Sequence, residues 1–436
     1  MQQEKVLRCA VPLLGLALLA IFTVLYAVDL NAYYRALGTI GGFKPFKYPF
    51  LDWEGVSASI KCWREGVNVY INNPCDVLNR PHDYSPLWLR AVFIPTGRAW
   101  TMPIGVVMIL AFLLSLFWLV RPANWRELIV FALTCTSPLV LYAVERGNVD
   151  VIIFIMLVGA GVLSTGALAK RSLSYALILL AGLLKFYPLV VLATALRERP
   201  RTFLVIAAAV GLTTIGFVYR YEEELAAAWR NVPRVGGWGS VSLPFDGPRY
   251  ALLLFPELKQ FAWFTALPYG TMGVLLIVTA IQVIHLARNG NLICAFAKMP
   301  ERDAMFFVIG AALITGCFFA GRNIPYRGVQ LIFAVTGLVA MRRATDNPAT
   351  RAMISRTVMI VVLVMWERFV FKALPHDVPG SKLGAFASAL VWLIHEVLWW
   401  RLVAVLVAML VIFTAKSEVF TALRQSRELS RQGFRP

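Results

Sequence analysis

Charge is scarce in this chain: Asp, Glu, Lys and Arg make up 15% of the 436 residues, while 59% are apolar, against roughly 45 to 50% in soluble domains. That balance excludes a soluble enzyme. Acid is scarcer than base, with 24 Asp and Glu against 42 Lys and Arg. In so apolar a chain the basic excess reads as membrane topology and contact with anionic lipid, not as nucleic-acid binding. Only four His occur, all isolated, and the six Cys at 9, 62, 75, 135, 294 and 317 contain no CxxC pair, so no zinc site can be assembled by spacing. The chain also has no GxxxxGK[ST], no strand-preceded GxGxxG, no heptad run and no internal repeat. ATP-driven or dinucleotide-dependent chemistry therefore has no support within it.

What the chain does have is long apolar runs, at 6–28, 100–120, 127–144, 149–168, 174–196, 203–219, 264–287, 304–320, 324–341, 357–371 and 385–413. At about 20 residues per span they predict an all-α polytopic membrane protein, one integral domain over 1–436 with about 11–13 transmembrane or half-membrane helices. The first run follows Lys5 and Arg8 without a small-residue cleavage site, and reads as an uncleaved signal anchor with a cytoplasmic N-terminus. Alternating the runs gathers Arg121/Arg126, Lys170/Arg171, Arg197/Arg199/Arg201, Arg342/Arg343 and the basic tail 414–436 on one face, the cytoplasmic one by the positive-inside rule. Two longer stretches, 29–99 and 221–262, then face outward. In the first, Trp53, Val56, Ile60, Trp63 and Val67 recur at helical spacing behind Asp52. They predict a short amphipathic helix on the membrane interface, with Asp52 available as its N-cap. Cys62 and Cys75 share this loop, where a disulfide is chemically permitted.

The run 174–196 breaks the alternation because both flanks are basic. Its middle reads Gly182-Leu-Leu-Lys185-Phe-Tyr-Pro188: Pro removes a backbone donor, and Lys places a charge at membrane depth. Two half-length helices entering and leaving from the same side satisfy both flanks and imply a polar cavity; a single kinked helix with Lys185 snorkelling is the other reading.

Asp52, Glu54, Asp83, Glu145, Arg146, Arg322 and Arg327 all fall at outward span ends or in the outward loop, with Lys185 reaching toward them. The turns Glu145-Arg-Gly-Asn148 and Gly321-Arg-Asn323-Ile-Pro-Tyr-Arg327 each pair Arg with Asn, which suits an anionic head group bearing hydroxyls. Snorkelling to lipid phosphates is the plainer role for each Arg. Asp52 could serve as a general base over a lipid head group, and the Asp52-Trp-Glu54 acidic pair is not read as a metal site. His376 and Asp377 fall in an outward loop, while His395 and Glu396 in the last run suit helix-packing hydrogen bonds.

Asp52, the segments Gly66-Val-Asn-Val-Tyr70, Asn73-Pro-Cys-Asp76 and Tyr84-Ser-Pro-Leu-Trp88, then Glu145-Arg-Gly-Asn-Val-Asp150, Leu184-Lys-Phe-Tyr-Pro188 and Asn323-Ile-Pro-Tyr-Arg327 follow one another in an order that resembles the GT-C membrane glycosyltransferases around glycosyltransferase family 87. The resemblance implies a GT-C-like bundle and an inverting transfer of a sugar, mannose as the first guess, from a polyprenyl-phosphate donor to a lipid or glycan acceptor. The reaction would take place on the outer face of the plasma membrane, with no metal or other cofactor. It implies Asp52 as the base, with Asp29 the weaker candidate. Arg146, Lys185, Arg322 and Arg327 would bind the donor phosphate, and Glu145, Asn148, Tyr84, Asn323 and Tyr187 the sugar or acceptor. Two other classes stay open: a lipid or polysaccharide transporter, which predicts a second broken helix, and a membrane scaffold without catalysis.

Overall fold

The computed structural model describes residues 2–43, 45–46, 48–233, 252, 254–320, 325–373 and 382–433, and among them there is no strand. The chain opens with α1 (Gln2–Val28), α2 (Leu30–Ile40), α3 (Leu51–Arg64), α4 (Pro86–Arg90) and α5 (Arg98–Leu119). There follow α6 (Trp125–Cys135), α7 (Pro138–Glu145), α8 (Val149–Leu163), α9 (Leu168–Lys185) and a 3-10 arm, Tyr187–Arg197. The remainder is α10 (Pro200–Arg220), α11 (Glu222–Asn231), a 3-10 turn Pro256–Gln260, α12 (Ala262–Ala287), α13 (Gly290–Ala297), α14 (Glu301–Ala320), a 3-10 turn Pro325–Gln330, α15 (Leu331–Arg343), α16 (Pro348–Ala373), α17 (Lys382–Ala415) and α18 (Glu418–Gly433).

Six of the described helices are long and apolar enough to cross a membrane, or seven if the bent pair α6 and α7 counts as one span. The other runs are served by shorter or more polar elements, among them α8 and the 3-10 arm. α14 is mostly buried and packs on α8, α15, α17 and the 3-10 arm, whereas only 6% of the residues in the apolar windows of α1 and α10 are buried. Helices apolar on an exposed face have a stable place only in hydrocarbon. The chain is an all-α multi-pass membrane protein.

Two breaks shape the end of the bundle that matters here. The run expected as one span over 127–144 bends by 46° between α6 and α7. Ser137 caps the second helix through its hydroxyl and Pro138 opens it, a start signal strong enough to end the preceding helix. At the second break, α9 and the 3-10 arm fold back on one another. Phe186 takes a left-handed backbone, φ 59°, strained for a bulky non-glycine residue, and Gly182 is needed because a Cβ there would lie 2.4 Å from Leu189 Cδ2. The arms close at their far ends, where Arg171 donates to Glu198 at 2.7 and 2.9 Å and Tyr175 donates to it at 2.8 Å. This is the hairpin that the two basic flanks required. Its arms are not half-length: at their respective rises of 1.5 and 2.0 Å per residue they reach about 27 and about 22 Å.

The loop over 29–99 is built, not loose. α3 forms where the spacing predicts it, but it does not lie on an interface: Asp52, Trp53, Glu54, Val56, Ser57, Ser59 and Ile60 are all buried, because the segment 65–85 folds back over its polar side. Nor is Asp52 the cap. Phe50 holds that position and Asp52 is the second helical residue, so its carboxylate is free to turn away from the helix end. Cys62 and Cys75 are joined, with Cα atoms 5.9 Å apart, and this bond fastens segment 65–85 to α3. With α3 covered on both faces, thiol reagents are expected to label neither cysteine until a reductant is added; labelling of both without reductant would count against the bond. α11, from the second outer stretch, docks on the same loop. Glu224 accepts from Arg90 at 2.6 Å and from Tyr70 at 3.2 Å, and Asn231 donates to the carbonyls of Tyr70 and His82 at 2.9 and 3.0 Å. Segment 234–240 of that second outer stretch lies outside the described residues.

Candidate active site

The turn between α7 and α8 places the first group of site residues. Gly147 has φ +57°, and a Cβ on it would lie 3.1 to 3.2 Å from Phe50 and Trp53, so the turn presses directly on the start of α3. There the backbones cross-bond, Phe50 N–H to the Glu145 carbonyl at 2.7 Å and Asp52 N–H to the Arg146 carbonyl at 3.0 Å. This pairing aims the Asp52 side chain at the turn. Its Oδ2 accepts from Asn148 Nδ2 at 2.9 Å and from Arg146 Nε at 3.2 Å, and its Oδ1 accepts from Arg80 Nη1 at 3.2 Å. Arg80 is itself held by Asp76, at 2.9 and 3.0 Å, and by the Leu51 carbonyl at 2.8 Å.

Asn148 passes the network on. It caps α8 by accepting from the Asp150 N–H at 3.0 Å, and the same Oδ1 accepts from Lys185 Nζ at 3.1 Å. Lys185, at the hairpin tip, pairs with Asp150 at 3.0 Å, and Asp150 also accepts from the Tyr187 hydroxyl at 2.8 Å. Gln330 donates to that hydroxyl at 3.1 Å. The Lys185 ammonium lies over the Tyr84 and Tyr326 rings, and the Arg327 guanidinium lies over the Tyr187 ring. Asn148 and Asp150 are completely buried, and charges so placed persist only when paired.

Of the residues expected at the site, Asp52, Arg146, Asn148, Lys185, Tyr84, Tyr187 and Arg327 are brought together. Glu145 is adjacent, but its side chain lines an apolar cavity. Arg322 and Asn323 lie outside the described residues, as do His376 and Asp377. Asp29 is not part of the site: it caps α2, accepting from the Ala32 N–H at 2.9 Å, and its side chain is half exposed. His395 sits 2.7 Å from Glu367 between α16 and α17, a contact between helices as its place in the sequence suggested. Six participants were not foreseen: Asp150 and Tyr326, which lay within motifs without an assigned role, and Arg80, Asp76, Gln330 and Arg368, whose guanidinium shares the Tyr142 ring with Arg146. Asp76 lay within a quoted motif, and its spacing of four from Arg80 is the one signal that marked the pair.

The cations differ in their commitments. Arg80 and Arg146 serve Asp52, and Lys185 serves Asp150. Arg327 has no carboxylate within ion-pair distance among the described residues: it lies over the Tyr187 ring, reaches the Cys317 sulfur at 3.8 Å, feels Asp150 only at longer range, and its buried Nε bonds nothing. Among the carboxylates, Asp83 is the counterpart, with no ion-pair partner among the described residues, and burial pushes its carboxyl up to about 6 against the nearby Lys185 and Arg80 charges. Burial holds the neighbouring His82 imidazole down to about 4, so it is neutral near pH 7. A metal at Asp52 would have to displace two guanidinium groups. The one close cluster of metal-type ligands among the described residues, Cys62, Glu65 and Cys75, has its sulfurs tied in the disulfide. What the site offers is a carboxylate network with the Arg327 guanidinium beside it, outside any ion pair among the described residues. The chain matches no protein-family model, no curated protein and no solved structure, so the chemistry has to be argued from this geometry and the sequence.

Proposed function

We propose that the chain is an inverting glycosyltransferase that moves a hexosyl or pentosyl group, mannose as the first candidate, from a polyprenyl phosphate to a lipid or glycan hydroxyl. The observation that carries the reading is the unbroken run of contacts from Asp52 through Asn148, Lys185, Asp150 and Tyr187 to Arg327. It sets a carboxylate at one end and, at the other, a cation outside any ion pair among the described residues. In a single displacement the acceptor oxygen bonds to the anomeric carbon, the bond from that carbon to the phosphate oxygen breaks, and the acceptor proton passes to a carboxylate, here Asp52. The leaving polyprenyl phosphate gains a negative charge, which calls for a fixed positive group and not for an acid; Arg327 is placed for that role, backed by Lys185. Asn148 and Tyr187 already bond within the network, so in this reading they hold it in place and Tyr84 is the one of the three left to meet a sugar hydroxyl.

The orientation belongs to the same proposal. Arg171, Arg197 and Arg343 lie at the opposite end of the helices, held by Glu198, Glu301 and Glu127, with Arg343 also donating to the Arg121 carbonyl, and the positive-inside rule puts that end in the cytoplasm. The site then opens outward at the plasma membrane, where nucleotide sugars are absent and a lipid-linked donor is required.

The test is transfer of radiolabel from a panel of polyprenyl-phosphate sugars to membrane lipid extract by the purified protein. Transfer from at least one donor is the expected result. The bend between α6 and α7 is a second broken span, which favours a transporter as the other reading. No transfer from any donor, together with lipid movement across proteoliposomes above a protein-free control, would replace the first reading with the second.

A further inference from the structure

A cavity of about 210 Å³ lies between α1, α2, α5 and α7, beside the site but outside the network just described. Its walls are apolar, with Leu18, Phe22, Val106, Leu113 and Val140 among them, and no Lys or Arg lines it. One carboxyl does. Glu145 is 6% exposed, and its Oε2 has no hydrogen-bond partner among the described residues. A buried carboxyl oxygen left unmatched costs about 1 to 3 kcal/mol. Native structures rarely carry that cost unless something supplies the missing bond.

The composition of the cavity selects the occupant. Apolar walls reject a sugar and accept a hydrocarbon chain. The carboxyl at its end needs a hydrogen-bond donor, and a hydroxyl supplies one. A phosphate would bring charge into an apolar cavity with no lining cation to offset it, so the donor lipid is disfavoured here. Position gives the rest: the Glu145 carbonyl is bonded to Phe50 N–H, and the next residue, Arg146, holds Asp52 through both its carbonyl and its guanidinium.

We propose that this cavity binds the hydrocarbon chain of the acceptor, a membrane lipid carrying a free hydroxyl, with the hydroxyl end at Glu145. The proposal rests on the glycosyltransferase reading for the word acceptor and narrows lipid or glycan to lipid.

Photolabelling tests it without requiring turnover. A diazirine-tagged diacylglycerol and the same lipid with its hydroxyl phosphorylated are incorporated separately into phosphatidylcholine vesicles holding the full chain, and labelled peptides are mapped by mass spectrometry. The hydroxyl lipid is expected to label α1, α5 or α7. Val106→Trp, which fills the cavity, is expected to cut that labelling at least tenfold, and the phosphorylated lipid to label these helices at less than a tenth of the level. If Val106→Trp does not insert, Met102→Trp at another point of the lining takes its place. Labelling elsewhere, labelling unchanged by the filled variant, or equal labelling by the phosphorylated lipid would overturn the proposal, even if sugar transfer proceeds. Labelling as expected from a protein that transfers no sugar would keep the hydroxyl-lipid site and sink the glycosyltransferase reading instead.

Discussion

Asp52→Asn is expected to lower sugar transfer by about 10² to 10⁴-fold, the range a positioned general base supplies, in a protein that still inserts and still binds the lipid carrier. The side chain keeps its shape and can still accept from Asn148 or Arg146, but it cannot take up a proton. The substitution also removes the charge that balances Arg80 and Arg146 at 3.2 Å each, and stripping one partner from a buried pair costs about 3 to 5 kcal/mol. Thermal stability must therefore be read beside activity; loss of both together would mark Asp52 as structural. Asp83→Asn, run in parallel, separates the roles further. Both oxygens of Asp52 already accept hydrogen bonds, whereas Asp83 has no ion-pair partner among the described residues and burial raises its carboxyl to about 6. A carboxyl with a raised value is protonated below it and can act as a base only above it. If Asp83 takes the proton, wild-type activity falls about tenfold per pH unit below 6, Asp83→Asn removes that limb, and Asp52→Asn stays close to wild type.

Arg327→Ala is expected to weaken polyprenyl-phosphate binding about 10 to 100-fold, the equivalent of a charge-assisted hydrogen bond of roughly 1.5 to 3 kcal/mol. Titration of the purified protein with polyprenyl phosphate reads this directly. The argument turns on commitment and not on the number of cations: Arg146 and Lys185 already neutralise Asp52 and Asp150, so neither gains a full ion pair from an arriving phosphate without giving one up. Arg327→Lys is expected to recover only part of the loss, since a point charge replaces a planar fork that can hold two phosphate oxygens. Unchanged affinity in the Ala variant would move the phosphate away from Arg327.

Where charge met an apolar run, the sequence was readable. Lys185 before Pro188, with base on both flanks, pointed to the hairpin because neither a helix nor a membrane tolerates that combination casually, and the Glu145-to-Asn148 turn stood out for the same reason. The α6–α7 bend was carried by Ser137-Pro138, a start signal inside an unbroken apolar run, and the run masked it. α3 was placed correctly and its surroundings wrongly, because periodicity reports which face is apolar and not what later covers the other. Arg80 illustrates the general limit. It is ordinary in its own stretch of sequence and becomes central only when the Cys62–Cys75 bond and the Asp76 carboxylate fold segment 65–85 over Asp52.

The spacing of the buried charges bears on how the chain is made. Asp52 meets Arg80 28 residues later, and Asn148 meets Lys185 37 residues later, at the turn that also holds Asp150. Asp150 lies in the first turn of the apolar helix α8, where a lone carboxylate costs up to about 2.5 to 3.5 kcal/mol to insert, and ribosomes add about 5 to 20 residues each second. Each acid therefore waits only seconds for its first counter-charge, whereas Arg327 emerges long after both pairs have closed. The order of synthesis thus sorts these cations: Arg80 and Lys185 are claimed by the fold early, and Arg327 arrives after the acids they serve are paired.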